Sequence, residues 1–190
     1  MNLDLLVEHT CFEHSNKVSE ISAILAECAG YSSDESAVIK QAALYHDVGK
    51  TDIPAQILNK PGALSPEEFD LVKTHTRLGH SKILDTISIL SVAADVCRDH
   101  HERLDGTGYG GLMDSSIHQY TKLISVADVF DALYSKRSYK EGWDIERIRS
   151  YFQAQSGIQF DAEIVTILFI IIERILELYQ NKTHFCQNTH

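Results

Sequence analysis

The stretch AALYHDVGKTDIPAQILNKPGALSPEE (residues 42–68) ends an apolar helical run on an adjacent histidine and aspartate, His46 and Asp47, with Lys50 three residues beyond. An apolar core has no use for that trio, and a surface helix gains little from it. The flanks set the fold class. Upstream, Val18, Ile21, Leu25 and Cys28 form an apolar stripe at three- and four-residue spacing, which predicts a helix from about His14 to Ala29, stopped at Gly30. A second helix runs from about Asp34 to Tyr45 into the His-Asp pair. Downstream, Ser65, Pro66 and Glu68 read as N-cap, first helical residue and capping-box partner of a helix that carries His75. Further helices are expected at about Ile89–His101, Ser116–Leu133, Asp144–Gln155 and Asp161–Gln180. Helical periodicity without persistent alternation predicts an all-α bundle of about seven or more helices. We expect one domain over residues 1–190, with the polar constellation within about 14–140 and C-terminal helices at about 143–180.

Composition narrows the function classes. The chain is 44% hydrophobic and 23% charged, ordinary for a folded soluble protein. A net charge of −10 argues against polymeric nucleic acid, which demands clustered Lys and Arg. A small anionic ligand stays open, because bound cations reverse the sign of a site. Cys11, Cys28, Cys97 and Cys186 are widely spaced with no CxxC pair, so reduced thiols and a cytoplasmic location are expected. The N-terminus has no basic region followed by a long apolar run, so no signal peptide is expected. The most apolar segment, Ile164 to Ile172, falls far short of the roughly 20 residues that span a bilayer. No membrane association is expected; the segment reads as a buried helix or as half of a contact with a second copy or a protein partner.

The polar residues near helix ends or on apolar helices carry the chemistry: His14, His46, Asp47, His75, His100, His101 and Asp128. Singly, each has an ordinary explanation, and His9, His80, His118, His184 and His190 keep theirs. The carboxylates are harder to dismiss. Asp128 sits among Val126, Ala127, Val129 and Phe130, and burying it costs several kcal/mol unless a counter-charge is present. Few basic residues lie nearby, so a divalent cation is the natural partner. Imidazoles mixed with carboxylates suit Fe, Mn, Zn, Co or Ni better than Mg or Ca. Neighbouring residues such as His46 and Asp47 project in different directions, which allows His46 to hold one ion while Asp47 reaches two.

The motifs then resemble a known family. HDVGKTDIPAQILNKPGALSPEE (residues 46–68) is similar to the HDxGKxxIPxxILxKPGxLxxxE block of the HD-GYP family, a branch of the HD-domain metal-dependent phosphohydrolases. HTRLG (75–79) matches its HxxxG, HHERLDGTGYGGL (100–112) resembles HHExxDGxGYPxGL, and ISVADVFDALYSKRSYK (124–140) resembles its helix and basic tail. The likeness extends into GIQFDAEIV (157–165). It implies a helical bundle with a di- or trinuclear centre that hydrolyses cyclic di-GMP to pGpG, to GMP, or to both. The implied metal ligands are His14, His46, Asp47, His75, His100, His101 and Asp128, with Asp47 as the bridge. Lys50, Tyr109, Arg137 and Lys140 would meet phosphates and guanines, and Asp47 and Lys50 would be the catalytic pair.

That chemistry is physically sound. Two cations roughly 3.5–4 Å apart lower the pKa of bound water and neutralise charge at phosphorus. Lys50 would stabilise the transition-state phosphate. Arg137 grips a phosphate bidentately, whereas Lys140 acts as a point charge. Two departures from the family pattern matter. Thr10 stands where members with a third metal carry glutamate, so two ions are expected, with Fe or Mn first and Zn, Co or Ni as alternatives. Gly110 replaces the family's proline in a loop one residue shorter, which predicts a freer loop backbone. Two other readings stay open: a cyclic dinucleotide sensor or adaptor with little or no catalysis, and hydrolysis of another cyclic dinucleotide or nucleotide. Glu102 is expected either to accept a hydrogen bond from a ligating histidine or to be solvated, Asp105 to shape a turn, and Trp143 to pack on the bundle.

Overall fold

The computed structural model describes residues 12–86, 91–136 and 141–180. The helices are α1 (Phe12–Cys28), α2 (Ser33–Tyr45), α3 (Ala55–Leu58), α4 (Pro66–Lys73), α5 (His75–Thr86), α6 (Ser91–Asp99), α7 (Gln119–Tyr134), α8 (Ile145–Gln155) and α9 (Ala162–Gln180). Short 3₁₀ turns lie at Val48–Asp52 and Asp114–Ser116. Among the described residues the only β-type pairings are the isolated bridges Asp105–Met113 and Ser156–Phe160. The all-α expectation holds.

Local chemistry sets the helix boundaries. Ser32 with Glu35, and Ser65 with Glu68, close reciprocal capping boxes at the starts of α2 and α4, and Pro66 occupies the first turn of α4. Asp144 caps α8 by accepting from the Arg147 N–H. The expected helix from Ser65 through His75 is broken: α4 stops at Lys73, and His75 opens α5. The helix expected from Ser116 begins instead at Gln119, where the His118 ring caps it, and the residues before it form a 3₁₀ turn.

Burial follows the apolar stripes. On α1, Val18, Ile21 and Leu25 are fully buried, and they meet Ile39 of α2 and Leu123, Ile124 and Phe130 of α7 within one core. Each such side chain contributes about 1.5–3 kcal/mol. Helix α7 is buried from Thr121 to Asp128, with Leu123, Ile124, Val126 and Ala127 in the core and the buried Lys122 paired with Asp114. α1 packs on α2, α7 and α9, while α5 packs on α6 and on the turn that follows His46-Asp47. The apolar run on α9 points Ile164, Val165, Leu168, Ile171 and Ile172 inward and leaves Ile170 75% exposed. No helix among the described residues is long and apolar enough to cross a membrane. Cys28 is an exposed free thiol and Cys97 a buried one; Cys11 and Cys186 lie outside the described residues. Trp143 packs against the core edge with the Arg147 guanidinium 3.8 Å from its ring.

Candidate metal centre

Three histidines are aimed by the same local device. His46, at the end of α2, donates from Nδ1 to the Ala43 carbonyl at 2.7 Å. His75, at the first turn of α5, donates from Nδ1 to the Val72 carbonyl at 2.6 Å. His100, just past α6, donates from Nδ1 to the Val96 and Cys97 carbonyls at 3.1 and 3.0 Å. A carbonyl only accepts, so each Nδ1 carries hydrogen and each Nε2 presents a lone pair to the interior.

Those lone pairs converge on Asp47. Its Oδ2 lies 3.3 Å from His46 Nε2 and 3.9 Å from His14 Nε2. Its Oδ1 lies 3.3 Å from His75 Nε2 and 3.6 Å from His100 Nε2. The two carboxylate oxygens thus face two different pairs of imidazoles. Asp128 Oδ1 lies 3.0 Å from His14 Nε2 and 3.8 Å from His46 Nε2. The His101 ring joins the other side, 5.2 Å from His75 and 4.1 Å from His100. Donor atoms of His14, His46 and Asp128, and separately of His75, His100 and His101, lie within 4.8 Å of one another. All seven residues named from the sequence come together.

These donors fit cations. His46 Nε2 and Asp47 Oδ1 are buried without a hydrogen-bond partner, which costs about 1–3 kcal/mol per group. His75 Nε2 and His100 Nε2 face each other at 3.4 Å, lone pair to lone pair, an arrangement that a shared positive charge stabilises. Burial and the neighbouring His100 push His75 down to about 4, and burial holds His101 well below the usual histidine range, so both offer neutral nitrogens. Burial opposes ionisation of Asp47, but Lys50 and His46 override it and keep it a carboxylate. Asp128 is likewise held ionised against burial, by His14 above all.

Asp131 was not foreseen. It lies one turn after Asp128 on α7, and its Oδ2 accepts from His14 Nδ1 at 2.6 Å. Ser135 and Tyr179 hydroxyls donate to its other oxygen at 2.8 and 2.7 Å. The cost of a carboxylate on an apolar helix, applied to Asp128, applies equally to Asp131 and was the available signal. In the metal-free protein, burial disfavours a charged His14, yet hydrogen bonds to Asp128 and Asp131 raise it to about 10. That proton stabilises the metal-free fold fully below the ordinary histidine value of about 6.5 and is lost as pH rises through about 10. A cation has to displace it, so metal affinity climbs with pH. Asp131→Asn is expected to weaken metal binding about 10- to 100-fold without loss of helix content. Competition titration against a chelator reads the change; unaltered affinity would make Asp131 a packing residue only.

The glycine loop is not freed by Gly110. Glu102, 5% exposed, accepts from the Gly110 and Leu112 N–H groups and so ties the loop down. It neither bonds a histidine nor sits in solvent, as the two sequence expectations had it. Proline at 110 would have no N–H to give. Gly108 passes so close to Glu102 that a Cβ there would lie 2.5 Å from its Cα. Asp105 shapes the turn by accepting from Arg103 and Thr107. Tyr109 is held with its ring 4.6 Å from that of His101. Lys50 Nζ lies 2.5 Å from Asp47 Oδ2. Arg137 and Lys140 lie outside the described residues, as do Thr10 and His9, His184 and His190. His80 approaches Arg98 at 3.4 Å, away from the cluster.

The family model described as HD domain matches residues 1–164. The chain belongs to the HD-domain family. Two curated relatives frame its neighbourhood. One is the cyclic di-GMP phosphodiesterase response regulator RpfG of Xanthomonas campestris pv. campestris, 39% identical over 154 residues, covering 80% of this chain and 41% of the relative. Another is a 3'3'-cGAMP-specific phosphodiesterase 2 of Vibrio cholerae, 38% identical over 158 residues, covering 82% of this chain and 30% of the relative. The chain therefore spans less than half the length of either. In fold it is similar to the solved HDG"Y"P protein Bd1817 of Bdellovibrio bacteriovorus, with a TM-score of 0.70 at 24% identity over 84% of this chain and 51% of that one.

Proposed function

We propose that the chain is a cytoplasmic, metal-dependent phosphodiesterase that hydrolyses a cyclic dinucleotide, cyclic di-GMP first, to pGpG, GMP or both. One observation carries the reading: Asp47, 3% exposed, turns one oxygen to His14 and His46 and the other to His75 and His100. His14, His46 and Asp128 would hold one ion, and His75, His100 and His101 a second, with Asp47 shared between them. The nitrogen-rich donor set favours two transition-metal ions, Fe or Mn ahead of Zn, Co or Ni. The names of the curated relatives support the substrate class.

When bound, the cations supply an activated water nucleophile and neutralise charge at the phosphorus. The chain's own residues do the rest. Asp47 and Asp128 balance the charge of the centre, and the carbonyl-anchored histidines keep their Nε2 atoms aimed without reorganisation. Lys50, with its side chain 27% exposed beside the buried Asp47, stands at the solvent side, where its ammonium can turn from Asp47 to a phosphate oxygen and stabilise the transition state. Glu102 holds the loop so that Tyr109 borders the centre. Arg137 and Lys140 would add phosphate contacts.

The test is turnover of cyclic di-GMP, 3'3'-cGAMP and cyclic di-AMP by protein loaded anaerobically with Fe(II) or Mn(II), with products resolved by chromatography. Cleavage of cyclic di-GMP fastest is the expected result. A metal-loaded protein that binds cyclic di-GMP and cleaves none of the three would make it a sensor or adaptor instead.

A further inference from the structure

Beyond the centre, two large aromatic side chains stand open to solvent side by side. Phe69 on α4 is 43% exposed and Tyr109 of the glycine loop 36% exposed. Their rings meet edge to face, with centroids 6.1 Å apart at 88°. Lys73, one turn after Phe69, places Nζ 4.7 Å from the Phe69 ring and 5.9 Å from the Tyr109 ring. On its other side Tyr109 borders His101, with ring centroids 4.6 Å apart. A series of rings therefore runs outward from the buried histidines through Tyr109 to Phe69, with a cation at its outer end. None of Phe69, Lys73 or Asp70 belongs to the seven-residue cluster.

We infer that Phe69, Tyr109 and Lys73 form a base-binding platform, on which one guanine of the bound cyclic dinucleotide stacks. This rests on the phosphodiesterase reading and adds a specificity element to it. A nucleotide base sits one sugar away from its phosphate, and the platform stands one and two rings away from His101. Partly exposed aromatic rings are what a purine can stack on, since every base has a π-face and base–aromatic stacking is favourable. Guanine also presents N7 and O6 acceptors on one edge, which an ammonium such as that of Lys73 can meet. The ion pair of Lys73 with Asp70, at 2.8 Å, keeps the ammonium beside the rings without burying it. Folding does not need this exposure. The hydrophobic core is built without Phe69 or Tyr109.

The experiment compares Phe69→Leu, Phe69→Trp and Lys73→Met with the unaltered, metal-loaded protein, reading both cyclic di-GMP binding by calorimetry and steady-state hydrolysis. Leu keeps apolar bulk but loses the π-face, so its Kd and KM should rise about tenfold with kcat little changed. Trp should restore binding, which a purely packing role for the ring would not require. Lys73→Met should weaken cyclic di-GMP more than cyclic di-AMP, because adenine lacks O6. If the unaltered protein cleaves cyclic di-GMP and Phe69→Leu binds it equally well, the platform is wrong and the phosphodiesterase reading stands. If cyclic di-GMP binds without being cleaved and Phe69→Leu weakens it, the platform stands and the catalytic reading falls. No binding of cyclic di-GMP by the unaltered protein overturns both.

Discussion

Asp47→Asn is expected to lower phosphodiester hydrolysis by about 10³-fold or more and to remove roughly half of the bound metal or all of it. The size follows from the loss of several kcal/mol of charge stabilisation, at about 1.4 kcal/mol per tenfold in rate. The asparagine is nearly isosteric, but one of its two ends becomes an NH₂ donor. Either the His14–His46 side or the His75–His100 side must then lose its oxygen. His46, His75 and His100, fixed through their Nδ1 atoms to carbonyls, and His14, fixed to the Asp131 carboxylate, cannot re-aim to compensate. Folding should survive, since a buried charge is removed and Lys50, partly exposed, can turn to water. Metal analysis, turnover and circular dichroism on one preparation separate these effects. Full metal occupancy with unimpaired turnover would show that Asp47 serves neither side.

Gly49→Ala should act by a different route and on the fold itself. Gly49 lies in the turn after the His-Asp pair and presses against the first turns of α5. A Cβ placed there would stand 1.9 Å from the His75 carbonyl oxygen and 2.5 Å from the Gly79 nitrogen. Both neighbours are backbone, so neither can rotate away. Overpacking costs about 1–3 kcal/mol even where side chains can adjust; here the turn and α5 must part. A loss of about 3 kcal/mol or more corresponds to a fall in Tm on the order of 6–12 °C for a chain of this size. Metal affinity should fall with it, because His75 and Asp47 are brought to 3.3 Å by that close approach. Gly30→Ala is the control: it meets no atom within 4 Å and carries only the cost of its positive φ, about 1–2 kcal/mol. A Gly49→Ala protein that melts and binds metal like the unaltered one would refute the argument.

The glycine of HDVGK is therefore a packing requirement, which no pattern along the chain could reveal. The same holds for Asp131 and Glu102. Asp131 could have been suspected from its apolar helix, but its partner His14 is 117 residues away. Glu102, beside two histidines in sequence, has as its partners the N–H groups across the loop. The break between α4 and α5 also escaped, although it matters: it frees His75 Nδ1 to reach the Val72 carbonyl, which aims Nε2 inward.

What the sequence determined alone was the helical class, the cap-defined start of α4, and the residue types able to hold cations. Those follow from rules that act within one helical turn: periodic burial, side-chain capping, and the cost of placing carboxylates among apolar neighbours. Tertiary structure alone decided how the seven side chains divide around Asp47, and which second carboxylate orients His14. It also decided that Phe69 of α4 stands beside Tyr109. Each depends on helices brought together by core packing, and distances of 3 to 6 Å across that packing are not encoded in any short-range spacing.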